Sequence, residues 1–162
     1  MATKKRNIRS ASKTDAVKLL TADHAKVKKL FRQFEKLKED GDAREKSALV
    51  EEICAELIVH TTVEEEIFYP AVREAIDDEG LVDEADVEHE SAKTLIAQLS
   101  RMRPGEDHYD ARVTVLGEYI DHHVQEEQKE MFPKAKRARV DMAELGQRIM
   151  ERKEQLQARH GR

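Results

Sequence analysis

One eleven-residue pattern occurs twice in this chain and restricts what it can become. His60 to Pro70 reads HTTVEEEIFYP, and His123 to Pro133 reads HVQEEQKEMFP. Each copy places a histidine, a glutamate four residues later, an aromatic at the ninth step and a proline at the tenth. On an α-helix, side chains at i and i+4 stand one above the other on one face, so each His-Glu pair can reach a single metal ion. Two such pairs on facing helices would serve a pair of ions.

The surrounding sequence supplies the helices. Thr14 or Asp15 can cap a first helix to about Lys38, with Val17, Leu20, Val27, Phe31 and Phe34 stepping by threes and fours. The turn Glu39-Asp40-Gly41-Asp42 precedes a second helix from near Ala43, whose seam holds Leu49, Ile53, Leu57, Ile67 and Ala71. Pro70 is expected to kink or locally break that helix, because a helical pattern resumes after it. A third helix is predicted from about Leu81 to Met102, with Val82, Ala85, Ala92, Ile96 and Leu99 inward. The fourth carries Val113, Leu116 and Ile120, then Met131. Asp141 can cap a fifth, shorter helix whose Leu145, Ile149 and Leu156 form a stripe to lie against the bundle. Long helices joined by short turns predict an all-α, antiparallel up-down-up-down four-helix bundle with an additional C-terminal helix. The domain plan is a basic flexible tail over 1–13, the bundle over 14–139, and a C-terminal helix over 140–162.

In each of the four seams the apolar run is interrupted. The interruptions are His24 in the first, His60 and Glu64 in the second, His89 in the third, and His123 and Glu127 in the fourth. His24 matches His89 and His60 matches His123, and Asp23-His24 and Glu88-His89 share an acidic neighbour, so the chain reads as a duplicated helical hairpin. A buried carboxylate without a partner costs several kcal/mol, and a cation between two of them removes that cost. His24 and His60 lie roughly 22 and 25 Å from the turn between them at 1.5 Å per residue, so all six side chains can share one layer. Glu65, Glu66 and Glu126 are expected to be solvated. His122 is expected outside the ligand set, and His108 and His160 on the surface. Glu56 and Tyr119, one turn before each His-Glu pair, are candidate donors behind or within the site.

Imidazole and carboxylate without thiolate suit iron, manganese or zinc. With two histidines per ion, two bridging glutamates and an oxo or hydroxo bridge, each ion would keep one open position for a small molecule such as dioxygen or hydrogen peroxide.

Composition agrees with solvated helices: charged residues are 39%, aromatics 4%, tryptophan is absent, and there are six Gly and three Pro in 162 residues. A net charge of −5 argues against a general nucleic-acid binder, although Met1 to Lys13 is basic. The single cysteine, Cys54, suits a reducing cytoplasm and reads as a packed residue. The basic start lacks the apolar stretch of a secretory signal, and no apolar run approaches a membrane span. A cytoplasmic monomer or small homo-oligomer is expected, with small molecules as partners and neither membrane nor nucleic acid.

At these residues, from about Lys13 to Arg139, the sequence resembles the hemerythrin-like family of HHE cation-binding domains. The resemblance implies a non-haem di-iron centre, two oxo- or hydroxo-bridged iron ions, inside the bundle. It is the four-His, two-Glu variant. Oxygen-carrying hemerythrins have a further histidine where this chain has Lys93, and an aspartate where it has Gln128. The pattern is closer to bacterial hemerythrin-like proteins linked to peroxide decomposition, and to domains that sense iron or oxygen. Two functions follow as expectations: a di-iron protein that binds or senses dioxygen, iron or redox state, or a catalase-like enzyme at the same centre. Iron storage is a third, which nothing in the sequence favours.

Overall fold

The computed structural model describes residues 15–160. The expected basic tail over 1–13 lies outside them. The observed architecture is all helical, as the periodicity requires. Helix α1 is Ala16–Leu37, capped by the Asp15 carboxylate accepting from Lys18 N–H at 3.1 Å. Helix α2 is Ala43–Val63, capped by Asp42. It runs through a wide π turn, Glu64–Phe68, into α3, Tyr69–Ala75. Helix α4 is Glu79–Leu99 and α5 is Tyr109–Glu126. A second π turn, Glu127–Met131, leads into α6, Phe132–Arg137, and α7 is Met142–His160.

The two π turns correct the expectation at Pro70. The helix does not break there; it widens one turn earlier. Tyr69 N–H donates to the carbonyl of Glu64, five residues back, and Phe132 N–H donates to that of Glu127. Proline has no N–H and its ring collides with the carbonyl four residues back. Widening the turn just before it accommodates both defects without ending the helix. Such turns frequently occur at functional sites, and here they begin on the two seam glutamates.

The apolar core falls into two parts with a polar layer between them. One part packs Val27, Leu30, Phe34, Ile53, Leu57, Ile96 and Leu116 at the end near the α1–α2 turn. The other packs Leu20, Val63, Phe68, Val72, Val82 and Met131 around Ile149 at the opposite end. The six interrupting side chains are all buried, none exceeding His24's 7% exposure. Helix α7 is integral to the second part of the core: Leu145, Ile149 and Leu156 are buried against residues of α1 and α2. Arg152 adds an ion pair to Glu66 at 2.7 Å. Because Ile149 is fully enclosed, Ile149→Ala is expected to cost about 2–5 kcal/mol in a urea unfolding series, through the cavity it leaves. A loss below ~1 kcal/mol would mean that α7 is merely laid on the surface.

Candidate metal centre

The four seams deliver their polar residues to one level, in two histidine pairs. His24 on α1 faces His60 on α2 with ring centroids 4.9 Å apart, and His89 on α4 faces His123 on α5 at 4.7 Å. The glutamates stand between the pairs. Glu64 Oε1 lies 3.1 Å from His60 Nε2 and 3.2 Å from His89 Nε2. Glu127 offers Oε1 to His24 Nε2 at 3.1 Å and Oε2 to His123 Nε2 at 3.3 Å. Each carboxylate therefore touches one imidazole of each pair, the arrangement expected of a bridging ligand. Two sets of atoms close enough to hold a cation result: His24, His60, Glu64 and Glu127, and Glu64, His89 and His123.

Three of the four outward ring nitrogens are held by carboxylates from neighbouring helices. Asp23 Oδ2 lies 2.9 Å from His60 Nδ1, and Glu88 Oε1 lies 3.0 Å from His123 Nδ1. Each acid beside a histidine thus serves the histidine of the next helix. Glu65 Oε2 lies 2.8 Å from His89 Nδ1, and Lys93 Nζ donates to its other oxygen at 2.6 Å. Glu65 is therefore engaged behind the site and not free in solvent as expected. Lys153 of α7 donates to Asp23 Oδ1 at 2.5 Å, so the C-terminal helix reaches the carboxylate behind His60. Carboxylates at Nδ1 fix the tautomer that presents Nε2, a common support for metal-binding histidines.

Tyr69 is the residue that sequence reasoning passed over. Its hydroxyl donates to Glu127 Oε2 at 2.5 Å and lies 3.2 Å and 3.1 Å from the Nε2 atoms of His89 and His123. The repeat places an aromatic at this step in both copies, and only this copy has a hydroxyl. The two donors expected one turn before the His-Glu pairs are both elsewhere. Tyr119 is 48% exposed, and Glu56 is paired with Lys26 at 2.6 Å. The expected bystanders stay outside: His122 is exposed and pairs with Glu126, and His108 is an exposed turn residue. Burial, with the nearby Glu51 charge, pushes the Cys54 thiol up to about 11, which removes it as a nucleophile.

Without a cation the layer is held by proton sharing. Burial alone would lower the His60 pKa, but the nearby Glu64 charge and the bond to Asp23 outweigh it and raise it to about 10. His123 is also raised, burial again being overcome by Glu127, Glu64 and Glu88. Glu64 is held well below its ordinary value: burial opposes this, and His60, Glu127 and His123 overcome it. Burial and the negative charge of Glu127 and Glu64 push the Tyr69 phenol well above its ordinary range. Even so, His24 Nδ1 and Nε2, His60 Nε2, Glu64 Oε2 and Glu127 Oε1 are buried without a hydrogen-bond partner. Buried polar atoms are almost always paired, so the four of these that face the centre, all but the outward His24 Nδ1, fit a cation between them. The donor set of imidazole, carboxylate and phenol has the same preference.

A helical bundle whose interior holds converging imidazoles and carboxylates defines a metal-binding helical protein. The family model described as hemerythrin HHE cation binding domain matches residues 15–155, and the chain belongs to that family. The match extends into α7. The chain is also similar to the crystal structure of a hemerythrin HHE cation binding domain-containing protein from Mycobacterium kansasii. That likeness has a TM-score of 0.73 and 25% identity, and covers 89% of this chain and 88% of that one. A curated protein of Nostoc sp. named DNA nickase is 29% identical over 114 residues, 70% of this chain. The chain spans only 31% of that protein's length. Among the described residues no helix is long and apolar enough to cross a membrane.

Two predictions follow for the metal-free protein kept in chelator. Tyr69→Phe removes a buried hydroxyl bonded to a carboxylate, and is expected to cost about 1–3 kcal/mol in urea unfolding. The raised His60 pKa also makes stability depend on pH. The contribution is fully present below its ordinary 6.5 and is lost as pH rises towards about 10. Thermal melts in chelator should therefore fall between those limits, and a flat profile would remove the imidazolium–carboxylate pairing.

Proposed function

We propose that His24, His60, His89 and His123 hold two iron ions through Nε2, bridged by Glu64 and Glu127, and that the centre binds and reports dioxygen or peroxide. The observation that carries this reading is the double contact of each glutamate, one imidazole from each pair, together with the bare lone pairs around it. Tyr69 is a seventh donor, on the His89–His123 side. Manganese or zinc fits the same ligands, zinc without redox chemistry.

Iron bound there supplies the electrons for reversible binding or two-electron chemistry of dioxygen and peroxide. The residues of the chain do the rest. Asp23, Glu65 and Glu88 hold the imidazoles with Nε2 inward. A cavity of about 10 Å³, walled by Val27, Leu57, Ile120 and Val124, adjoins all four histidines. It is about the size of a single water molecule, with apolar side chains between the histidines. The His24–His60 half has no hydroxyl matching Tyr69, because Phe132 fills the equivalent place and lies parallel to the His24 ring at 6.0 Å.

Peroxide decomposition is the second reading, and Tyr69 favours it. The conversion of two hydrogen peroxide molecules to dioxygen and two water molecules moves protons, and the Tyr69 hydroxyl holds one at 2.5 Å from Glu127 inside the cluster. A single experiment separates the readings. The protein is loaded with ferrous iron without air, metal content is counted, and oxygen or hydrogen peroxide is then added separately. Absorbance near the oxo-to-iron band and gas release are followed together. Two irons per chain with a spectral change that reverses on removing oxygen support binding or sensing. Sustained oxygen release, lost in His60→Ala and slowed at least about tenfold in Tyr69→Phe, supports the enzyme. Glu64→Gln should drop the metal below one ion per chain, since it serves both pairs. A wild-type chain that takes up no metal ends both readings.

A further inference from the structure

The duplicated hairpins are not equal in what stands behind the ligands. In register, Glu65 of the first hairpin corresponds to Gln128 of the second, and Lys93 of the second to Lys28 of the first. The Glu65 carboxylate is held between His89 Nδ1 at 2.8 Å and Lys93 Nζ at 2.6 Å. In the other half the acid has become an amide, and the corresponding bond is missing. His24 is 7% exposed and its Nδ1 has no partner. Lys28 and Gln128 are both exposed, and neither forms a hydrogen bond or ion pair among the described residues.

These three residues line one groove of about 950 Å³ between α1 and α5. Its floor is apolar, formed by Val27, Phe31, Ile120 and Val124. We propose that the groove binds a small molecule with a carboxylate head and an apolar tail, such as a medium-chain fatty acid. The head takes, between His24 and Lys28, the place that Glu65 holds between His89 and Lys93.

Three physical arguments support that occupant. A histidine that gives Nε2 to a metal keeps its proton on Nδ1, so His24 becomes an obligatory donor with nothing to accept from it. A buried donor left unpaired is costly, and a carboxylate is the acceptor that the other half of the same molecule uses. The groove's acids are offset by its own cations, since Lys28, Arg32 and Lys36 line it together with Glu35, Glu118 and Asp121. Glu118 lies roughly 15 Å along α5 from Gln128 at 1.5 Å per residue. The tail then runs over Val27 and Phe31, and burial of its methylenes adds affinity. Only the His24 tautomer rests on the metal reading; the template from the other half and Lys28 stand without it.

Octanoate is the probe, titrated into iron-loaded and chelator-treated protein, with binding read by calorimetry and by the His24 ring resonances in histidine-labelled protein. Octan-1-ol and octylamine, which share the tail, are the controls. Saturable binding of one octanoate per chain is expected, with both controls at least about tenfold weaker. Lys28→Met removes the cation, and Gln128→Glu rebuilds the Glu65–Lys93 arrangement and occupies the place. Each should weaken octanoate at least about tenfold while circular dichroism stays unchanged. Absence of saturable binding, binding of octan-1-ol as tight as octanoate, or affinity untouched by Gln128→Glu overturns the proposal. Iron content is counted in every sample. A chain that binds octanoate in chelator and takes up no iron would sink the metal reading and leave this one standing.

Discussion

The structure depends on keeping two carboxylates, Glu64 and Glu127, inside a helical core where both are 1% exposed or less. Ionised carboxylates in such surroundings are tolerated only with partners, since taking each out of water costs several kcal/mol. Four imidazoles and a phenol are those partners, and they arrive from α1, the α2–α3 helix, α4 and the α5–α6 helix at one level. That requirement explains why the apolar core is divided in two. It also explains why both long central helices widen into π turns that begin on the glutamates. The arrangement is over-determined from outside, because Asp23, Glu65 and Glu88 fix rings whose inner nitrogens must converge.

Duplication gives the site its outline, and divergence between the copies gives it a direction. Tyr69 against Phe132 and Glu65 against Gln128 make the His89–His123 half closed and well supported. The same differences leave the His24–His60 half with an unpaired ring nitrogen, an apolar neighbour and a groove. A symmetric layer would have no distinct face. The asymmetry supplies one, and it comes from two side chains.

Much of this was legible from spacing. The helices, the turns between them and the six seam residues follow from a 3.6-residue period interrupted by ionisable groups, a signal that short-range arithmetic can read. The supporting carboxylates were not legible in the same way. Asp23 and Glu88 are visible as acids beside histidines, yet each serves a histidine on the following helix, 37 and 35 residues away. Glu65 looked like one of a run of solvated glutamates until α4 brought His89 against it. Tyr69 sat in plain view in the repeated motif. Tyr119 lies one turn before His123, a position that turns outward.

The sequence by itself determined the helical bundle, the duplicated hairpin and which side chains interrupt its seams, because periodicity is a local property of the backbone. Only the tertiary structure decided which glutamate oxygen meets which imidazole, that Tyr69 enters the cluster, and that α7 reaches Asp23 through Lys153. Those contacts join residues from different helices. Their geometry depends on helix rotation, on the added turn width before Pro70 and Pro133, and on how the two cores pack around a charged layer.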